Sequence, residues 1–176
     1  LGKGLKKSGY TVSIAAIDEY QEMITNNGIG YSPLHLSARE LEKVFMDKGN
    51  THQGNSTPFA LSRYAKTVLR ENMIRWLDHS LQACSGCDLL IYTGLAYHLG
   101  IHLAEKLKVP ALPVYLQPVT INSKTASFMM PDWKIGAPYN RLSYRWAEKL
   151  LWMYLGKPVN QWRRRQGLKP LSEKRP

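Results

Sequence analysis

Apolar positions along the chain follow two spacings, one typical of strands and the other of helices. The segments YTVSIAAI, DLLIY and PALPVYL are apolar runs, which favour strands buried in a sheet. Over residues 58–83 and 96–107, apolar side chains recur every three or four residues, which predicts helices with one buried face. This alternation predicts an α/β fold, a Rossmann-like parallel sheet with helices on both faces.

The helical pattern is strongest in two long segments. Near the C-terminus, residues 141–156 are predicted as one helix, and a separate short helix is predicted to end at Gly167. Ser37 and Glu40 form a capping box for a further helix. The helix over residues 58–83 has a predicted buried face of Leu61, Ala65, Val68, Leu69, Met73, Trp76, Leu77 and Leu81.

Charge sets the chemistry of the expected partners. The 176 residues include 24 Lys and Arg against 13 Asp and Glu, a net charge of +11, which favours nucleotides, nucleic acid or acidic lipid headgroups. No apolar run approaches the roughly 20 residues of a membrane span, so we expect a soluble, cytoplasmic protein. Cys84 and Cys87 lack a second ligand pair for zinc and are expected to be reduced thiols.

In an open parallel sheet, ligands bind at the carboxyl ends of the strands, here residues 17–19, 93–98 and 117–120. Gly94 allows a sharp turn whose amides could bind an anion or a hydroxyl. Since both glycine-rich phosphate motifs are absent, a pocket wall is favoured over a phosphate cradle. His98 and His102 have the spacing of a metal pair but no catalytic Glu beside them, so no metal site is predicted. His98 stays a candidate ligand contact, and His102 is assigned to the scaffold.

The C-terminal region is basic and interleaved with Trp146, Trp152 and Trp162. This mixture is compatible with nucleic acid or a membrane interface. The alternative is that the tryptophans pack on the core while the cations face water, which is the more common arrangement. The cations in question are Arg141, Arg145, Lys149, Lys157, Arg163, Arg164, Arg165, Lys169, Lys174 and Arg175.

The segments GIHLAEKLKVPALPVYLQPVT and YNRLSYRWAEKLLWMYLGKPVNQWRRRQGLKPL resemble the N-terminal domain of family 28 glycosyltransferases. This group contains sterol 3-β-glucosyltransferases and bacterial macrolide and glycopeptide glycosyltransferases. The most specific signatures are Tyr139-Asn140 and Asn160-x-Trp162-Arg163. The resemblance implies one half of a glycosyltransferase-B fold. Residues 1–176 would be its acceptor-binding domain, without the first strand and the C-terminal donor domain.

The resemblance also implies an activity: inverting transfer of a hexose from a UDP- or TDP-sugar to a hydroxyl of an apolar acceptor, such as a sterol, lipid or polyketide. The catalytic base would lie upstream of Leu1, so no catalytic residue is assigned and the fragment alone is expected to be inactive. No cofactor or metal is expected, and the nucleotide sugar would be a co-substrate bound mainly by the donor domain. Peripheral contact with an acidic inner membrane face is expected, and nucleic acid is not.

The resemblance places the acceptor pocket at the strand ends. Its wall would be formed by Thr93, Gly94, Leu95, Tyr97, His98, Gln117, Pro118 and Val119. An apolar flap would be formed by Phe128, Met129 and Trp133. The alternative function is that of a basic Rossmann-like module that binds acidic membranes or nucleic acid.

Overall fold

The computed structural model describes residues 1–34, 63–93, 97–116, 118–127 and 129–172. The helix predicted after Ser37 and the first residues of the helix predicted over 58–83 lie outside these ranges. In chain order the elements are α1 (Gly2–Lys7), β1 (Ser13–Ala16), a 3₁₀ helix (Asp18–Tyr20), α2 (Gln21–Asn26), β2 (Gly30–Pro33), α3 (Arg63–Ala83), β3 (Leu90–Thr93), α4 (Tyr97–Leu107), β4 (Ala111–Val114) and α5 (Ala137–Arg165).

The strands pair in parallel at two places. β1 pairs with β2, with Ser13 opposite Gly30, and β3 pairs with β4, with Leu90 opposite Ala111. Because parallel strands need a crossover connection, α2 joins the first pair and α4 joins the second. The predicted parallel α/β fold is confirmed. Within the described residues the strands form two separate two-stranded sheets.

β4 is less buried than its apolar sequence indicates. Ala111, Leu112 and Pro113 are all exposed, whereas in β3 the alternate residues Leu90 and Tyr92 are buried. Alternate residues of a strand face opposite sides of a sheet, so β3 turns one covered side towards the helices. The expectation of a buried strand is wrong for β4, because the helices that cover β3 leave Ala111, Leu112 and Pro113 open.

The core is enclosed by α3 and α5, which pack along each other, together with α4 and β3. Burial at Met73, Trp76 and Leu77 confirms this part of the predicted inner face of α3. Leu61 and the side chains of Ala65, Val68 and Leu69 lie outside the described part of the chain. The hydrophobic cluster consists of Met73, Trp76, Leu77, Leu90, Tyr92, Leu103, Ala104, Leu155, Val159 and Trp162. The ends of β3 and β4 are therefore supported by one packed core.

Gly100 lets α4 approach β3 closely. A Cβ atom at this position would lie 2.4 Å from Cγ and 2.5 Å from Cδ1 of Tyr92. These atoms belong to the part of the ring nearest the backbone, so they cannot swing away as the end of a flexible side chain can. Glycine costs a helix interior about 1 kcal/mol relative to alanine. Here that cost is offset by the packing of the Tyr92 ring against the helix.

The C-terminal region forms one helix of 29 residues, α5, instead of the two helices predicted. Gly156 and Pro158 indicate an interruption in the sequence, because proline lacks the N–H that bonds to the preceding turn. The helix continues through Pro158 because Val159 and Trp162, both 0% exposed, hold its second half in the core. Gly167, with a φ of +76°, follows the helix as predicted.

Candidate functional site

The carboxyl ends of β3 and β4 lie side by side, with Thr93 opposite Val114. The Thr93 side chain is exposed at this edge. The arrangement is the one in which parallel sheets bind ligands. Four of the site residues predicted after β3 cannot be placed. Gly94 and Leu95 lie outside the described part of the chain, and so do the side chains of Tyr97 and His98. Their place in a pocket wall stays a prediction.

The segment after β4 carries the other predicted site residues. Pro118 is exposed and Val119 is half-buried. Further along, Met129 is half-buried, and Trp133 is 60% exposed. The predicted residues that lie outside the described ranges are Gln117 and Phe128. The segment therefore presents both a half-covered and an open apolar side chain, and the hydrogen bonds that hold it run to α5.

Asn122 shapes the start of this segment and ties it to α5. Its Oδ1 accepts hydrogen bonds from the backbone N–H of Lys124 at 3.0 Å and of Thr125 at 2.9 Å. Such side-chain to backbone bonds are typical of asparagine in turns. The Asn122 Nδ2 donates to the hydroxyl of Tyr144 at 2.6 Å, and Tyr144 is buried in α5. One side chain thus fixes both the turn and its attachment.

A second attachment is made by two polar residues on the buried face of α5. The Ser143 hydroxyl accepts the backbone N–H of Ser127 at 2.8 Å and donates to the Asn140 carbonyl at 2.6 Å. The Asn140 Nδ2 donates to the Ser123 carbonyl at 2.9 Å. The Asn140 Oδ1 is buried without a hydrogen-bond partner in the part of the chain that the structure describes. It is therefore able to accept a water or a hydroxyl.

Trp133 rests on an aromatic residue of α5. Its ring stacks on Tyr139 with centroids 5.1 Å apart and an interplanar angle of 25°. Tyr139 is buried, its hydroxyl donates to the Pro131 carbonyl, and its ring meets Trp146 edge-on at 6.5 Å. Stacking on a held ring orients Trp133, which stays 60% exposed. A large, oriented and open aromatic surface is suited to contact with an apolar ligand.

The Tyr139-Asn140 signature therefore has a structural role that the family resemblance alone does not give. Both residues hold the segment after β4 in place. Asn122, Ser143 and Tyr144 act with them and are not among the predicted site residues. The signal that identifies Ser143 and Tyr144 is their spacing of about one turn from Asn140 on a helix face that would otherwise be apolar, whereas Asn122 lies outside the helix and has no such signal.

We expect Ser143→Ala to loosen the segment after β4. The change leaves the N–H of Ser127, whose residue is 4% exposed, without its partner, which costs about 1–3 kcal/mol. Hydrogen exchange of the Ser127 amide should accelerate, while amides of β3 keep their protection. Ser8→Ala is the matched control, because Ser8 is exposed and its hydroxyl bonds only within α1. Equal exchange in Ser143→Ala and the wild type would contradict the assigned attachment.

The second signature, Asn160-x-Trp162-Arg163, joins α5 to the rest of the fold. Asn160 makes two hydrogen bonds to the backbone of Leu171, donating to its carbonyl at 2.9 Å and accepting its N–H at 2.8 Å. The Trp162 Nε1 donates to Asp78 Oδ1 of α3 at 2.8 Å. These bonds fix the chain after α5 and the contact between the two longest described helices.

Arg163 is 1% exposed and lies at the centre of a polar cluster. Its guanidinium donates to both carboxylate oxygens of Glu105, at 2.7 and 2.9 Å, and its Nε donates to the Lys169 carbonyl at 2.7 Å. The hydrogen bonds from Arg163 hold the pKa of the Glu105 carboxyl below its usual range. His102, also buried, lies 3.2 Å from Arg163 through Nδ1, which confirms its assignment to the scaffold.

The described part of the predicted basic segment is divided between core and surface, and Lys174 and Arg175 lie outside the described ranges. Trp162 and Arg163 are buried and cannot form an interface, so that part of the interface hypothesis is wrong. Trp152 is half-buried, and only Trp146, at 45%, is an exposed member of the three tryptophans. The expectation that tryptophans pack on the core is confirmed for Trp162. The reason is that Trp162 faces α3, where its indole N–H finds Asp78.

Other candidate sites in the described ranges are weak. No group of three or more His, Cys, Asp or Glu side chains there is placed to hold a metal ion. Cys84 and Cys87 are free thiols, and burial, followed by the charge of Cys87, raises the pKa of Cys84 to about 11. A shallow groove between α3 and α5 is lined by Thr67, Arg70, Glu71, Lys157, Pro158 and Gln161. Its lining includes none of the predicted site residues.

A membrane-spanning helix is not found among the residues that the structure covers. No family model matches the chain.

Sterol 3-beta-glucosyltransferases of several fungi are similar to it. That of Debaryomyces hansenii is 33% identical over 165 residues, which is 93% of this chain and 10% of that protein. That of Glomerella lagenarium is 32% identical over 168 residues, 93% of this chain and 11% of the relative. That of Yarrowia lipolytica is 32% identical over 168 residues, 94% of this chain and 11% of the relative.

The chain spans about a tenth of the length of these curated relatives. The similarity extends over at least 93% of the chain. The resemblance inferred from the sequence is confirmed: the chain is similar, over nearly its whole length, to a segment of sterol 3-beta-glucosyltransferases.

Proposed function

We propose that the chain is the acceptor-binding part of a glycosyltransferase that moves a hexose from a nucleotide sugar to the hydroxyl of an apolar, sterol-like acceptor. The observation that carries this proposal is the similarity to sterol 3-beta-glucosyltransferases over 93% of the chain. The parallel strand ends and the ordered segment after β4 are consistent with it, since ligands of such sheets bind where these loops meet.

In the proposed inverting reaction, a base removes the proton of the acceptor hydroxyl, and the oxygen attacks the anomeric carbon of the sugar. The bond between that carbon and the diphosphate oxygen breaks, and a nucleoside diphosphate leaves. A new bond joins the sugar to the acceptor on the opposite face. The base and the donor domain belong to parts of the proposed parent outside residues 1–176, so this chain contributes binding and orientation.

Trp133 is the described residue best placed to contact an apolar acceptor. It is open to solvent, yet its ring is oriented by stacking on Tyr139. The half-buried Met129 belongs to the same segment and supplies an adaptable apolar surface. Thr93, Pro118 and Val119 are proposed to complete the wall at the ends of β3 and β4. An apolar pocket with a few polar groups is what a sterol with a single hydroxyl requires.

The test is made on the full-length parent enzyme, with UDP- and TDP-glucose and a panel of sterols and other apolar alcohols. We expect transfer to a sterol hydroxyl, and we expect Trp133→Ala to raise the acceptor KM about tenfold, equivalent to the loss of roughly 1.4 kcal/mol of contact. The nucleotide-sugar KM should not change. The control is Tyr10→Ala, because Tyr10 is exposed and precedes β1.

Absence of both sugar transfer and nucleotide-sugar hydrolysis across the panel would refute the proposed reaction. Activity on sterols with an unchanged acceptor KM in Trp133→Ala would keep the reaction and remove Trp133 from the acceptor site.

A further inference from the structure

The outward face of α5 carries an exposed stripe in which apolar and basic side chains alternate. Its members are spaced by three or four residues, so they lie along one side of the helix. We call it the α5 stripe, and it consists of Leu142, Arg145, Trp146, Lys149, Met153 and Lys157. The exposed fractions of its apolar members are 38% for Leu142, 45% for Trp146 and 62% for Met153. Single exposed apolar residues are ordinary, but three on one side of the same helix, each beside a cation, indicate a contact surface.

The charge of this face is positive and poorly compensated. Arg145, Lys149 and Lys157 are exposed, and the sequence of α5 contains Glu148 as its one acidic residue. Glu148 lies off the stripe and is half-buried. Its burial raises the pKa of its carboxyl, an effect that Arg145 opposes. The stripe thus combines apolar side chains that avoid water with long cationic side chains whose heads stay in water.

We propose that the α5 stripe docks on the surface of an anionic lipid bilayer. Trp146, Leu142 and Met153 would enter the headgroup region, while Arg145, Lys149 and Lys157 pair with lipid phosphates and carboxylates. Interfacial helices have this composition, with an apolar row and flanking Lys and Arg. The observations that support this docking surface do not depend on the proposed sugar transfer.

Two other occupants fit the stripe less well. Nucleic acid would use aromatic stacking and cations, but aliphatic Leu142 and Met153 have no flat face on which a base could stack. A second copy of the chain would bring like charges together, because every charged member of the stripe is a cation. An anionic bilayer satisfies both the apolar and the charged members at once.

The stripe adjoins the residue proposed to contact the acceptor. Trp146 meets the Tyr139 ring edge-on, and Trp133 stacks on that same ring. A bilayer against the stripe would therefore lie next to Trp133. An acceptor dissolved in the bilayer would have a short path to this side chain, without crossing bulk water.

The proposal is tested by sedimentation of the chain with vesicles of phosphatidylcholine alone and of phosphatidylcholine with phosphatidylserine. We expect binding to the anionic vesicles, and a steep fall with added salt. The double variant Arg145→Gln/Lys149→Gln should bind about 25-fold more weakly, from about fivefold per cation. The control Lys3→Gln/Lys7→Gln removes the same charge from exposed positions of α1 and should bind nearly as the wild type does.

A second pair of variants examines the apolar members. Trp146→Ser should weaken binding, whereas Tyr10→Ser, which removes an exposed aromatic elsewhere, should not. Thermal melting followed by circular dichroism verifies that each variant is folded. The proposal is overturned if no binding occurs at low salt, if both charge variants lose affinity equally, or if the chain binds duplex DNA but not vesicles. The proposal is also overturned if the chain forms a dimer in solution that the variants of the α5 stripe dissociate.

Discussion

Arg163→Ala is expected to lower the free energy of unfolding by about 4 kcal/mol, because it empties a buried position and removes the hydrogen bonds that the guanidinium makes there. Arg163 is 1% exposed and is joined to Glu105, to His102 and to the Lys169 carbonyl. The change removes these hydrogen bonds and leaves a cavity between α4 and α5. Chemical denaturation of the chain measures the loss.

Arg164→Ala provides the matched control for this prediction. Arg164 is the next residue of α5, carries the same charge and is exposed. Its replacement should change the stability by less than about 0.5 kcal/mol. If both variants lose the same stability, the effect of Arg163 is one of net charge and the buried cluster is not its cause.

The pH dependence of the same cluster follows from Glu105. Its carboxyl has a lowered pKa in the folded chain because Arg163 donates hydrogen bonds to it, so the unfolded state binds more protons and stability rises with pH. This contribution is complete above the unfolded pKa of about 4.3 and is lost as the pH falls through the folded pKa. The stability difference between the wild type and Glu105→Gln should therefore shrink on acidification.

Gly100→Ala is expected to destabilise the fold by about 2–3 kcal/mol, the upper part of the range for overpacked cores. The added Cβ would lie 2.4 Å from Cγ of Tyr92, so α4 and β3 must separate or the Tyr92 ring must leave its position. Tyr92 is 9% exposed and belongs to the core cluster. Neither adjustment is possible without loss of packing in the core.

Gly4→Ala makes the same chemical change in α1, where nothing lies within 4 Å of the added Cβ. It should be neutral or stabilising by up to about 1 kcal/mol, owing to the helix propensity of alanine. A Gly100→Ala variant as stable as the wild type would contradict the close approach of α4 to the Tyr92 ring. In a Tyr92→Ala background, the cost of Gly100→Ala should disappear, and a double-mutant cycle measures this coupling.

Periodicity predicts the helical and parallel-strand character of the chain because both depend on spacing within one element. The inner face of α3 at Met73, Trp76 and Leu77 follows from such spacing. The single helix α5 does not, because Gly156 and Pro158 are local breakers that packing of the distant α3 overrides. The need for glycine at position 100 is not predictable from local spacing either, because it arises from contact with the ring of Tyr92.

The position of the candidate site follows from topology, whereas its internal contacts do not. Parallel strands place their carboxyl ends together, so Thr93 and Val114 are predicted as neighbours from the order of elements. The bonds of Asn122 to Tyr144 and of Ser127 to Ser143 link residues 22 and 16 positions apart. No local pattern pairs those residues, although the signature at Tyr139 points to one end of the network.

The anchors of the segment after β4 also define a unit that can be exchanged. At one end Asn122 bonds to Tyr144 of α5, and at the other end Pro131 accepts a bond from Tyr139 of α5. The second half of α5 is fixed independently by Asn160, Trp162 and Arg163. A replacement confined to the residues between the two anchors would leave the core contacts of α5 intact. Under the proposed function, the acceptor preference of the enzyme would then be changed by exchanging this one segment, with the rest of the domain left as it is.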